Sequence, residues 1–122
     1  MPRHAIHLKR AYEPVAEADA TRLLVDRLWP RGITKENLHI AAWLRDVAPS
    51  LALCKWFGHQ PALWEGFRER YFAELDANAD AVAALRRYLD QGPVTLLYGA
   101  RDQAHNNALA LRDWLQANSH RG

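Results

Sequence analysis

Val94-Thr95-Leu96-Leu97-Tyr98 constrains the fold more than any other stretch of the chain. It is a near-continuous apolar run of strand length, with Gln91-Gly92-Pro93 before it and Gly99 after it. A strand with one wet face alternates apolar and polar side chains, and this run hardly does. Both faces therefore need cover, which is the position of a strand in a parallel sheet with helices above and below.

The surrounding pattern supplies the other layers. His4 to Tyr12 alternates loosely and predicts a first strand, and Thr21 to Trp29, with Leu23-Leu24-Val25 at its centre, predicts a second. Leu38 to Val47 reads equally as a short strand or a helical turn. Ser50 is placed to cap a short helix to Phe57, ended by Gly58. Pro61 opens a longer helix on which Leu63, Phe67, Tyr71, Glu74 and Leu75 recur at helical spacing. Ala79 to Asp90 predicts a further helix, and Ala104 to Asn118 predicts the last, burying Leu109, Leu111, Trp114 and Leu115. The whole reads as one domain over residues 1–122, a small α/β sandwich with a short, mainly parallel sheet covered by helices. The strands at 23–29 and 94–98 are expected in one sheet and parallel to each other, and Trp56, Phe67, Tyr71, Leu96, Leu97 and Trp114 are expected in the core.

Composition excludes more than it selects. A net charge of +2 is too small to argue for nucleic acid by itself. Residues 1–35 lean basic and residues 61–91 lean acidic, a faint footprint for an anionic partner. No apolar run approaches the roughly 18 residues of a membrane span, and the N-terminus lacks a signal-peptide core, so a soluble cytoplasmic protein is expected. The lone Cys54 excludes an internal disulfide and is expected to be a buried, inert thiol among Leu53, Trp56 and Phe57. The histidines lack metal-ligand spacing, so neither metal nor cofactor is expected. Phosphate-binding, dinucleotide and nucleophile-elbow glycine motifs are missing from the sequence.

Chemistry is expected at two strand-end loops. The first, Asp26-Arg27-Leu28-Trp29-Pro30-Arg31-Gly32, carries two guanidiniums and an indole, which suit planar anions and flat rings. In the plainer reading Trp29 caps the core and the arginines pair with Asp26 or another acid. The second, Gly99 to Asn106, carries Arg101, Asp102, His105 and Asn106 and opens a helix whose N-terminus favours an anion. If the two strands are parallel neighbours, these loops share one sheet edge. Arg27, Trp29, Arg31, Tyr98, Arg101, Asp102, Asn106 and His59 are thus the candidate ligand-binding residues. Asp102, Glu74 and Tyr98 are the weak candidates for an acid or base, although a carboxylate at a helix start such as Asp102 is most often simply a cap, and Glu74 is equally the partner of an arginine.

The same residues carry a resemblance. Tyr12-x-Pro14, Leu24 to Gly32, Trp43, Pro49-Ser50, Trp56-Phe57-x-His59, Phe67, Tyr71-x-x-Glu74-Leu75 and Leu96-Leu97-Tyr98-x-Ala100-x-Asp102-x-x-x-Asn106-x-Ala108 resemble the YeaO-like branch of the DUF488 family. The resemblance implies a small bacterial or archaeal α/β protein of this length with a site near these loops, and no particular reaction. Where the family commonly has Asn-His-Ala, this chain has Asn106-Asn107-Ala108. Broader relatives place Cys, Glu and His-Arg around the loop matching Tyr98–Ala108, so cysteine-based chemistry does not carry over. Three functions follow as expectations: a pocket for a phosphate-bearing or nucleotide-like ligand, with or without catalysis; a nucleic-acid contact through Arg27, Arg31 and Arg101; or a non-catalytic protein-interaction module.

Overall fold

The computed structural model describes residues 5–118, and His4 of the expected first strand lies outside them. Four strands, β1 (Ile6–Arg10), β2 (Thr21–Leu24), β3 (Ala42–Trp43) and β4 (Val94–Tyr98), form one sheet in the order β1-β4-β2-β3. Every pairing is parallel, with Leu8 and Leu23 flanking Leu96 in register. The apolar run thus occupies an inner position, with all five residues buried. Helices α1 (Lys35–Leu38), α2 (Leu51–Phe57), α3 (Trp64–Asp76), α4 (Ala79–Gln91) and α5 (Asn107–Ala117) complete the fold. The open stretch 38–47 is resolved as the short edge strand β3 and one 3-10 turn.

The two faces are covered unequally. Leu23, Val25, Leu96 and Tyr98 join α2 through α5 in the main core, where Tyr71, Leu85 and Leu111 are fully enclosed. Leu24 and Leu97 point the other way, into a small cluster with Ala11, Leu38, Trp29 and Trp43. That thinner side is pinned by polar bonds: Asp19 accepts from Lys9 and Arg22, and the Arg22 guanidinium also donates to the carbonyls of Leu38 and His39.

Several expectations are corrected. The second strand ends at Leu24 rather than Trp29, because the Val25 N–H makes the last bond to β4, at Leu97 O, while the Val25 carbonyl goes to Asn107 of α5 and the Asp26 carboxylate to Gly99. Pro61–Leu63 is a 3-10 turn that precedes α3. The last helix begins at Asn107, not Ala104, since Asn106 is its N-cap and accepts from the Leu109 amide at 2.8 Å. Leu109 is half-buried. Trp56 is outside the core, 38% exposed, because α2 turns Leu53 and Phe57 inward instead. Its ring lies across Gly66 of α3, where a Cβ would meet it at 2.8 Å, with the Arg70 guanidinium stacked at 4.0 Å. Cys54, one turn before Gly58 on α2, is likewise exposed rather than buried.

Candidate functional site at the strand ends

Chain direction decides where a crevice opens. The segment leaving β2 leads to α1, whose Leu38 packs under Leu24 and Leu97; the segment leaving β4 leads to α5 on the opposite face. Adjacent parallel strands whose continuations diverge leave a gap beyond their carboxyl ends, the usual ligand position in such sheets. A cavity of about 240 Å³ lies at this gap. Its walls are Leu28, Pro49, Leu51, Phe57, Phe67 and Ala100, and its polar groups come from Asp26, Arg27, Cys54, His59 and Asn107. A broader groove of about 710 Å³ runs between residues 43–47 and α4, and Arg27 borders both.

Asp26 is the centre of the cavity's polar chemistry. Its Oδ2 accepts the Gly99 amide at 2.8 Å and its Oδ1 accepts the Asn107 amide at 3.1 Å. The second Asn107 hydrogen goes to the Val25 carbonyl at 3.0 Å. Both neighbours of that amide are acceptors, which fixes the NH2 toward them and leaves Asn107 Oδ1 as its one other polar atom. Asp26 therefore ties the end of β2 to the start of the β4 loop and to the first turn of α5. Gly99 permits the approach, since a Cβ there would sit 3.2 Å from Asp26 Oδ2. Burial pushes the Asp26 carboxyl above its ordinary pKa, and the Gly99 and Asn107 donors and nearby His59 only partly offset this.

The remaining groups are set by the turn after α2. Gly58 and His59 both have left-handed backbones, with φ of 53° and 57°. For His59 that conformation is disfavoured, and it turns the imidazole beside Phe57, 6.3 Å between ring centres, at the cavity wall. Arg27 donates from Nε to Pro49 O at 2.9 Å and from Nη2 to Ala48 O at 3.1 Å. Its Nη1 has no partner among the described residues. Cys54 is near, with Sγ 3.9 Å from Pro49 O; the residue is exposed, but partial burial of its sulfur against the cavity wall pushes the thiol up, away from the reactive thiolate.

Of the eight expected ligand-binding residues, only Arg27 and His59 line this cavity. Trp29 donates its indole N–H to Ile33 O at 2.7 Å and packs edge-on against Trp43 in the thin cluster. Arg31 is exposed, and its carbonyl accepts from Tyr12. Tyr98 is buried in the main core, which pushes its phenol up. Arg101 is exposed. Asp102 is not a cap of α5: it closes the preceding turn, accepting from Ala104 N at 2.8 Å, His105 N at 3.0 Å and the His105 ring at 2.9 Å. The His105 bond leads in holding its carboxyl below the usual range. Buried Asn106 is engaged at both ends of its amide, with Leu109 N and Asp102 O. Glu74 finds Ser50 rather than an arginine, accepting its N–H at 2.9 Å and its hydroxyl at 2.6 Å, so it braces the start of α2 from α3.

Chemically, the cavity brings together hydrogen-bonding groups, a carboxyl, a guanidinium, an imidazole and an amide, on an apolar wall. The Asp102–His105 pair resembles an oriented base, yet among the described residues neither member bonds a serine or cysteine hydroxyl or thiol. No hydrogen bond joins Cys54 to His59 among them either. No group of three metal-ligating side chains occurs among the described residues, and none of their helices is long and apolar enough to cross a membrane. Sequence reasoning missed Asp26 as a site residue and set Asn107 aside as a departure. The legible signal was that Asp26 and Gly99 each follow closely on a strand end.

Comparison with known proteins adds the following. A family model described as "Inactive DUF488-N3 subclade" matches residues 5–122. The Escherichia coli (strain K12) protein "Uncharacterized protein YeaO" is 41% identical over 112 residues, 92% of this chain and 97% of the relative. Mycobacterium bovis Mb3100c and Mycobacterium tuberculosis Rv3073c are each 38% identical over 110 residues, 90% of this chain and 92% of theirs. No solved structure matches the chain significantly.

Proposed function

The chain belongs to the DUF488 family, in the subclade described as inactive DUF488-N3, and from that premise we propose that it binds a small nucleotide-like ligand without turning it over. The ligand occupies the crevice beyond β2 and β4, with its ring in the cavity and its phosphate at the mouth. The observation that carries this reading is Asp26, a half-buried carboxyl held by Gly99 and Asn107 beside an apolar, aromatic-walled space. A cavity with a few convergent polar groups, one of them with a perturbed pKa, is the general form of a ligand site. At about 240 Å³ it suits a compact ring rather than a whole nucleotide. Arg27 Nη1 is the cationic donor for a phosphate left outside. Binding without turnover is favoured by the raised Cys54 thiol and by the family description. The free, exposed Cys54 also suits a reducing, cytoplasmic setting.

Calorimetry and thermal melting against nucleoside monophosphates, inorganic phosphate and a short oligonucleotide test this reading. A ligand at about 100 times its Kd stabilises by roughly 2.7 kcal/mol, which a melting curve resolves. Nucleoside monophosphates are expected to bind, and Ala100→Phe, which fills the cavity, is expected to abolish binding. Salt-dependent affinity for the oligonucleotide alone would support nucleic-acid contact instead. Equal binding by the filled variant, or no binding by any monophosphate, would overturn the proposal.

A further inference from the structure

Resting on that reading, we infer that the site selects a flat ring presenting two adjacent N–H donors, the edge of a guanine-type base. The inner wall of the cavity offers acceptors. Both Asn107 amide hydrogens are engaged, by Val25 O at 3.0 Å and Asp26 Oδ1 at 3.1 Å, so its remaining polar atom is the Oδ1 acceptor. Asp26 receives N–H donors at both oxygens, the arrangement of an ionised carboxylate, and each oxygen keeps a further lone pair. Two neighbouring acceptors call for two neighbouring donors. A guanine ring supplies them as its ring N–H and its amino group. Adenine and cytosine set an amino group beside a ring nitrogen that itself accepts, so one contact would bring two acceptors together.

The same inventory places the phosphate. Against Asp26 an anion meets like charge, so it is excluded from the inner wall. The cavity's arginine is Arg27, whose Nη1 makes no bond among the described residues after Nε and Nη2 have donated to Pro49 and Ala48. The ring slot itself is aromatic: Phe57 and Phe67 pack with centres 4.6 Å apart, and His59 stands beside Phe57. The ligand thus enters ring first, donor edge toward Asp26 and Asn107, phosphate toward Arg27.

The test compares four probes on wild type and Asp26→Asn by calorimetry: the 5′-monophosphates of guanosine, inosine, xanthosine and adenosine. Wild type is expected to bind the guanosine nucleotide roughly ten- to a hundredfold more tightly than the inosine one, which lacks the amino donor. In Asp26→Asn the new amide donor faces the cavity, so preference is expected to move to the xanthosine nucleotide, which carries a carbonyl where guanosine has the amino group. A purely structural role for Asp26 would weaken all four alike. Binding of the series by wild type without preference for guanosine overturns this inference and leaves the site reading intact. Failure of all four to bind wild type overturns both. Should Asp26→Asn fold poorly, the wild-type ranking decides alone, and a guanosine preference unchanged in a folded variant counts against the inference.

Discussion

Asp26→Asn also isolates the electrostatics of the site from its packing. In wild type the carboxyl accepts from Gly99 and Asn107, and burial nevertheless pushes its pKa up. The asparagine keeps an oxygen for Gly99 but sets an NH2 where Asp26 accepted from Asn107, so that bond is lost, with the new NH2 turned toward the cavity and Asn107 still on the Val25 carbonyl. One part-buried hydrogen bond lost and one Asn107 N–H left without its acceptor amount to about 1–2 kcal/mol, roughly 3–6 °C in Tm per kcal/mol for a domain of this size. This gap depends on pH in one direction. With its folded pKa above the unfolded value, wild-type Asp26 holds its proton more tightly when folded, so its contribution falls as pH rises from the unfolded to the folded pKa. Asparagine carries no such penalty. Urea unfolding of both proteins from about pH 3 to about pH 7 should therefore show the deficit of the variant narrowing as pH rises. A deficit that widens would mean that folding favours the charged form and would refute the reasoning.

Three further outcomes are expected. Asn106→Ala should cost about 1–2 kcal/mol in urea unfolding and Asp102→Ala clearly less, because Asn106 is the buried cap of α5 and Asp102 closes an exposed turn. Phe57→Ala should cost about 3–5 kcal/mol and Trp56→Ala about 1 kcal/mol or less, measured the same way, since only the first ring is in the core. Glu74→Ala should lower Tm through loss of the two Ser50 bonds while leaving the calorimetric affinity for guanosine 5′-monophosphate unchanged.

The sheet was legible because a run such as Val94–Tyr98 has few homes other than the middle of a parallel sheet. That a cavity opens beyond β2 and β4 was legible too, since two loops follow adjacent strands, but most of the residues that line it were not. Asp26 read as a partner for arginines, whereas Arg27 turned to the carbonyls of Pro49 and Ala48, contacts that local sequence does not encode. Asn107 gains its role only through Val25 and Asp26, some eighty residues earlier in the chain. Asp102 and Asn106 are both good cap types, and the choice fell to whichever directly preceded the helix. Trp56 shows a different limit: α2 has only seven residues, too few for periodicity to fix which aromatic faces inward.

The most direct measurement is a ¹H–¹⁵N NMR titration of the wild-type protein with guanosine 5′-monophosphate. The account expects amide shifts concentrated at Asp26, Cys54, His59, Gly99 and Asn107, with the Trp29 indole and the Arg31 amide unmoved. Shifts centred on Trp29 and Arg31, or none at saturating nucleotide, would contradict it.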